Sequence, residues 1–494
     1  MKEHSLLYDT LKKVSWHSMI YGLGTSFTAF VGIILMPLYT RFLSPEEYGV
    51  YSLISILFTL LVFVYDLGMI NALFRWIYHY EESEKGSRKR VASTVLIFLI
   101  FMAFISTSLL WNNTSHISRL IFKSDGFIYL IRLMLIGLCL QMLTWVPMSL
   151  LRIKERPMTF VSITAFGMVV MVAANFFLLL KGRGLSGIYE AYIISCLFMV
   201  IALFYVTRNE YVLAFSLKEL KGMLKFGIPF LPVLFFSWVI DSSGRYFLGH
   251  FRTLEEVGLY SVGYKIGQIV YLAEKTFAVA WTPIMLSLAQ RYATKAPEVL
   301  GRVFTYFVFL SAVLFVGTSV YGREAIRIFT ASPYHDAFPI APLIAMAYIL
   351  YGIYIYMLSG LIITKNVYTQ PFILFLAAAA NIALNIVLVP RFGMISSACA
   401  TIVSYLIAAV ATYYFAQRSY PILVEFKRIG KVFLAAIVIS IIGISFTLSN
   451  LAVSVLLKTA SFLIFFGLLY LVGFFRPAEI RKVADVFRRG SAPA

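Results

Sequence analysis

Apolar runs of helical length alternate with short polar links along the whole chain. A helix needs about 20 consecutive apolar residues to cross the hydrocarbon core. Fourteen runs reach that length. Six lie in the first part of the chain, at 15–38, 48–74, 91–111, 127–151, 158–180 and 185–207. Six more follow at 226–249, 257–283, 303–321, 338–363, 368–389 and 394–416, and a last pair at 432–449 and 451–475. The runs are too long for barrel strands and lack strict alternation, so α-helices are the way left to satisfy backbone groups in lipid. The pattern predicts an all-α polytopic membrane protein with about 14 transmembrane helices.

Composition agrees. Of 494 residues, 61% are hydrophobic and 13% charged, against about 25% charged in a soluble domain. The net charge of +19 does not point to nucleic acid, because the cations are spread through short links. Cytoplasmic links collect Lys and Arg. The N-terminal segment, the even-numbered links and the tail hold about 28 of the 42, the odd-numbered links about 9, with five inside runs. Both termini are therefore expected in the cytoplasm. The first run is of full helix length with no small-residue cleavage site behind it, so no cleavable signal peptide is expected. Cys139, Cys196 and Cys399 fall inside apolar runs, and the six histidines are scattered, which gives neither a disulfide framework nor metal-ligand spacing. The basic, weakly amphipathic tail from Arg476 is expected to rest on anionic headgroups.

The link PLYTRFLSPEEYGVYSL (37–53) has a degraded copy, HFRTLEEVGLYSV (250–262). At an offset of 209, Phe42, Glu46, Glu47, Gly49, Tyr51 and Ser52 meet Phe251, Glu255, Glu256, Gly258, Tyr260 and Ser261. The same offset lays Gly184, Ala191, Ile193 and Ser195 over Gly393, Ala400, Ile402 and Ser404, and Arg156 over Lys365. These matches predict two parallel six-helix repeats, within segments 1–210 and 211–420, followed by two C-terminal helices and a tail in 421–494. In the first copy, Pro37 is placed to end or kink helix 1. Ser44 is placed to cap helix 2, with Pro45 at its first position and Glu46 and Glu47 in its first turn.

PLYTRFLSPEEYGVYS resembles the first-hairpin signature of the polysaccharide transporter family. The resemblance continues through DLGMINALFRWIYHYEE (66–82), RIKERPMTF (152–160), LKFGIPFLPVLFFSWVIDSSGRYFLGHF (224–251), EEVGLYSVGYKIGQIV (255–270) and RFGMISSACATIVSYL (391–406). Wzx-type members flip undecaprenyl-pyrophosphate-linked oligosaccharides. They share a superfamily with the multidrug (MATE) exporters and lipid II flippases. The resemblance implies a flippase that works by alternating access in an inner membrane, for surface polysaccharide such as O-antigen of lipopolysaccharide, capsule or exopolysaccharide. It implies as partners the lipid-linked oligosaccharide, membrane lipids, a polysaccharide polymerase and a chain-length regulator. One departure stands out. The family often shows Asp-Arg before the Tyr-Phe-Leu of helix 7, where this chain has Gly244-Arg245-Tyr246 and its nearest acid at Asp241.

Ionisable residues inside a membrane span are costly and mark wet cavities or partners. Helix 2 carries Asp66 and Arg75; helix 4, Arg132; helix 6, Glu190; helix 7, Asp241 and Arg245; helix 8, Lys265, Glu274 and Lys275; helix 14, Lys458. A pyrophosphate head asks for Arg or Lys donors, and sugars ask for aromatic faces with a polar handle. The candidate substrate-binding residues are therefore Arg245, Lys265, Lys275, Asp241, Asp66 and Arg75, with Trp238, Tyr246, Tyr264 and Tyr271 nearby. The plainer alternatives are a satisfied Asp241–Arg245 pair, a Glu274–Lys275 pair at a helix end, and snorkelling arginines. No cofactor is expected. Asp66 or Asp241 could exchange a proton or bind sodium, while the absence of GxxxxGK[ST] argues against ATP hydrolysis. The rival readings are a MATE-type drug exporter, a lipid II-type flippase, and a polytopic sugar-transferring enzyme. The drug exporter is disfavoured by candidate charges that are more cationic than anionic, and the enzyme by the lack of an acid–base or metal constellation.

Overall fold

A computed structural model describes residues 32, 34–80, 84–292, 294–446 and 451–476. Most of the first apolar run and the tail beyond Arg476 lie outside these residues. Every regular element among them is helical. Residues 34–42 are α1. Then follow α2 (Pro45–Asp66), α3 (Met69–His79), α4 (Lys85–Asn112), α5 (Thr114–Phe122), α6 (Ile128–Ile153), α7 (Pro157–Leu180), α8 (Gly184–Thr207) and α9 (Leu217–Gly227). They are succeeded by α10 (Leu231–Phe251), α11 (Leu254–Gly267), α12 (Ile269–Arg291), α13 (Ala296–Phe329), α14 (Ile340–Ile363), α15 (Gln370–Ser419), α16 (Phe426–Ser445) and α17 (Leu451–Leu471).

Twelve spans among the described residues are long and apolar enough to cross a membrane. One of them, Val367–Ser419, holds two of the expected runs. A 50-residue helix such as α15 would be about 75 Å long, more than twice the bilayer core. It breaks at Gly393, whose φ of 59° and ψ of −141° suit glycine alone, three residues after Pro390 withdraws an N–H. Large apolar side chains such as Phe104, Ile201, Val387 and Leu456 stay exposed on these helices, as lipid-facing residues do. The chain is a multi-pass membrane protein.

The described residues fall into two compact units. The first contains the chain up to Ser261 and the insert Ile382–Ser397. Here α8 packs on α6 and α7, α4 on α6, α9 on α3, and α10 on α2. The second contains Val262–Asn381 and the chain from Ala398 onward. Here α13 is central and packs on α12, α14, α16 and α17.

The first hairpin forms as its residues dictate. Ser44 caps α2: its Oγ accepts the Glu47 N–H at 3.2 Å, and its own N–H donates to Glu47 Oε2 at 2.8 Å. That reciprocal pair is a capping box. At the same offset of 209, Thr253 Oγ1 accepts the Glu256 N–H at 3.1 Å. There the Glu256 carboxylate turns to Arg252 Nε instead, at 2.9 Å. Pro37 does not end α1, which continues to Phe42.

Two glycines of the motif serve close approach. A Cβ on Gly49 would collide with the Leu254 carbonyl and lie 3.3 Å from Gly258 N. A Cβ on Gly258 would collide with the Pro45 carbonyl and lie 3.2 Å from Gly49 N. The contact is reciprocal, as a local two-fold relation requires. One turn further on, Ser52 Oγ and Ser261 Oγ are hydrogen-bonded at 2.6 Å. Gly184 and Gly393 also correspond in backbone, with φ of 52° and 59°. The Arg156–Lys365 match shifts by one residue. The left-handed positions are Glu155 and Lys365, and the closing bonds run from Arg156 N–H to the Leu151 carbonyl and from Asn366 N–H to the Leu361 carbonyl.

Candidate functional site

In the first unit, the expected second span is broken. Leu67 and Gly68 are both left-handed, with φ of 46° and 75°, and they separate α2 from α3. Gly68 is required there twice over: by its conformation, and because a Cβ would lie 2.7 Å from the Gly227 Cα. The Asp66 carboxylate accepts the Ile70 N–H at 3.1 Å, satisfying a donor that the new helix start leaves over. Asp66 thus has a capping role at the break. Arg75 is exposed on α3, with its guanidinium 4.6 Å from the Phe226 ring centre and 5.9 Å from that of Trp76. These are cation–π contacts that tie α3 to α9. At the end of α3, the Tyr80 hydroxyl donates to Glu219, and that carboxylate raises the phenol pKa above its ordinary value.

Asp241 and Arg245 lie four residues apart on one face of α10, both half-buried and both engaged by neighbours. Arg245 acts electrostatically on the buried Tyr48 hydroxyl of α2. Gly244 explains the departure from the family's Asp-Arg pair. A Cβ there would run into the Ser397 Oγ and come within 3.6 Å of Asn385 Oδ1. Asn385 and Ser397 are fully buried. The space an aspartate would need is thus filled by polar groups of α15. Trp238 donates to the Ile56 carbonyl at 3.1 Å, and Tyr246 stacks on His250 at 6.0 Å.

In the second unit, Lys265 is half-buried on α11, and Lys275 is exposed on α12 with its ammonium 5.7 Å from the Tyr271 ring centre. Tyr271 belongs to a tyrosine array. Its ring centre lies 5.0 Å from that of Tyr348 and 5.4 Å from that of Tyr351, and Tyr351 lies 5.3 Å from Tyr405. The Tyr264 and Tyr348 hydroxyls bond at 2.7 Å. Sequence reasoning missed Tyr348, Tyr351 and Tyr405. The signal was the run YILYGIYIY (348–356), which places tyrosines on adjoining faces of α14.

Other span charges resolve into pairs. Glu190 meets Arg183, whose Nε donates to Oε2 at 3.1 Å. The Arg132 guanidinium lies 4.9 Å from the Trp111 ring centre, and its Nε donates to Thr114 at 3.3 Å. Lys458 of α17 donates to both oxygens of Glu324 on α13 at 2.7 Å, with Ser454 adding a third bond at 2.8 Å. Lys458 and Glu324 are 1% and 5% exposed. Glu274 and Lys275 form no helix-end pair: Glu274 is buried while Lys275 faces outward.

Residues 38–339 match the family described as polysaccharide biosynthesis protein. An uncharacterized membrane protein of Methanocaldococcus jannaschii is 22% identical, over 97% of this chain and 98% of that protein. Among solved structures, the fold is similar to that of the lipid II flippase MurJ in an inward closed conformation. The TM-score is 0.72 at 16% identity, covering 92% of this chain and 99% of that one. It is also similar to an inward-facing multidrug resistance MATE family transporter of the MOP superfamily. There the TM-score is 0.60 at 14% identity, covering 82% and 96%.

Proposed function

This chain belongs to the polysaccharide biosynthesis protein family, and from that premise we propose that it flips an undecaprenyl-pyrophosphate-linked oligosaccharide across the membrane by alternating access. The observation that carries the reading is chemical. A cation and tyrosine faces lie together: Lys275 lies over Tyr271 in the array with Tyr348, Tyr351 and Tyr405. Arginine and lysine suit a pyrophosphate, and tyrosines suit sugar rings. The fold shared with a lipid II flippase supports a lipid-linked substrate. In this reading the polyprenyl tail stays in lipid, the candidate contacts for the anionic head are Arg245 in the first unit and Lys265 and Lys275 in the second, and the tyrosines take the sugars. The protein then serves surface polysaccharide assembly in an inner membrane, with both termini cytoplasmic and a polymerase downstream.

The test is flipping in liposomes with fluorescent undecaprenyl-pyrophosphate oligosaccharide. The expected result is protein-dependent movement that Arg245→Ala and Lys265→Ala each reduce at least tenfold in correctly folded protein. Unchanged rates in both variants discard these head contacts. No movement of the lipid, together with uptake of a cationic dye, replaces the reading by drug export of the MATE type.

A further inference from the structure

Glu274 sits in the second turn of α12, is 3% exposed, and is used by none of the contacts described above. Neither of its carboxyl oxygens meets a hydrogen-bond partner among the described residues. The Ser311 hydroxyl of α13 interacts with it without reaching hydrogen-bond geometry. The carboxyl lies flat against the backbone of α14 at Gly352. A Cβ on Gly352 would collide with Oε1 and lie 2.5 Å from Cδ and 2.8 Å from Oε2. Gly352 is therefore a notch that admits this one side chain.

The elements packed most extensively against α12 are α13 and α14. Helix α14 carries no Asp, Glu, Lys or Arg, and its titratable groups are Tyr348, Tyr351, Tyr354 and Tyr356. On α13, the charged residues nearest in sequence to Ser311 are Arg302 and Arg323, nine and twelve residues away, or about 13 and 18 Å along the axis, with Glu324 following. Arg323 lies over the Phe338 ring at 4.9 Å. Glu324 is already paired with Lys458, and Arg302 with Glu298. On α12 itself, Lys275 faces outward over Tyr271. An ionised carboxylate in this notch would be a buried charge without a counter-ion, which is strongly disfavoured. A neutral carboxylic acid fits. A metal ion does not, since it needs a shell of several oxygen ligands and the notch offers one carboxyl and one hydroxyl.

We propose that Glu274 is a proton-binding site, occupied when the carboxyl is seated on Gly352 and emptied when α12 lifts it into water. The carboxylate takes a proton from water to become the acid and returns that proton to water. Pro283, nine residues after Glu274, withdraws an N–H from the hydrogen-bond ladder of α12, which is where this helix can bend. Coupling of this proton to substrate movement rests on the transport reading above; the protonation itself does not.

Infrared pH-difference spectroscopy of the full-length protein in liposomes without substrate tests the protonation. The expected result is a protonated-carboxyl carbonyl band at neutral pH that is absent from Glu274→Gln and shifted or lost in Gly352→Ala, where the added methyl displaces the acid. The Gly352→Ala variant retains Glu274, so the test stands if the glutamine variant does not fold. Spectra identical to wild type in both variants overturn the proposal, whatever the chain transports. Flipping of the fluorescent lipid under an imposed pH gradient then tests the coupling. Acceleration in wild type that is lost in Glu274→Gln supports it. Acceleration by a sodium gradient alone overturns it. No flipping under any condition overturns the transport reading and leaves the infrared result to decide Glu274.

Discussion

The hydroxyls of Ser52 and Ser261 are hydrogen-bonded at 2.6 Å although 209 residues separate them in the chain. That separation is the offset of the sequence repeat, so each serine meets its own counterpart. Gly49 and Gly258 do the same one turn earlier. The motif that returns in the sequence therefore combines cap and contact. Ser44 and Thr253 start the two helices, and the glycine and serine that follow bring them together.

Alanine at Gly49 or Gly258 places a methyl group against backbone rather than a flexible side chain. Each substitution should destabilise the protein by at least the about 1–3 kcal/mol typical of overpacking. Thermal unfolding in detergent measures this. A loss at Gly49 but none at Gly258 would show that the contact is not reciprocal.

The serine pair is weaker. A double-mutant cycle with Ser52→Ala and Ser261→Ala should give a coupling of about 0.6 kcal/mol, and no more than about 1.7, as for other hydrogen bonds between membrane helices. Additive single effects would mean that the pair contributes nothing specific.

Lys458→Met leaves the Glu324 carboxylate buried without its cation, and Glu324→Leu does the reverse. Either change alone should cost about 3–5 kcal/mol, and the double variant should recover most of it. The melting temperatures of the three variants decide this. Equal losses in single and double variants would place the stabilisation elsewhere.

Asp66 accepts the Ile70 N–H, a task that needs an oxygen more than a charge. Asp66→Leu should cost about 1–3 kcal/mol, as a buried donor left unsatisfied does. Asp66→Asn should keep both fold and flipping within twofold of wild type. A large loss of flipping in well-folded Asp66→Asn would give the carboxylate charge a task beyond capping.

Outside the spans, Arg119 grips both oxygens of Asp125, Nη2 donating to Oδ2 at 2.7 Å and Nε to Oδ1 at 2.9 Å, which lowers the carboxyl pKa below its usual value. The pair's contribution is fully present above the unfolded value, about 3.9. It is lost as pH falls through the lower folded value. Hydrogen-exchange protection factors over residues 114–125, taken against the intrinsic rate at each pH, should therefore fall on acidification in wild type. In Asp125→Asn protection should be lower already at neutral pH and insensitive to this step.

The spans were legible in the sequence because lipid imposes one requirement on every stretch that crosses it. Their breaks were not. Apolar residues run on through Leu67-Gly68, and only the left-handed backbone there marks the interruption. The repeat was legible because glycine, serine and glutamate at fixed spacing are costly to replace at a close crossing. The orientation of Glu274 was not, since neighbouring positions on a helix differ by about 100° and the rotation of α12 depends on α13 and α14. Lys458 was visible as a span charge, but its partner lies 134 residues upstream, beyond any local pattern.

That distance also has a direction in time. The chain is made from its N-terminus at about 5–20 residues per second, so Glu324 precedes Lys458 into the membrane by roughly 7–27 seconds. A lone lysine at the centre of a span opposes insertion by about 2.5–3.5 kcal/mol. Helix α17 thus arrives carrying a charge that the bilayer resists and that a residue already in place can neutralise. Membrane entry of α17 and its docking on α13 become one event, and Glu324 is its receptor.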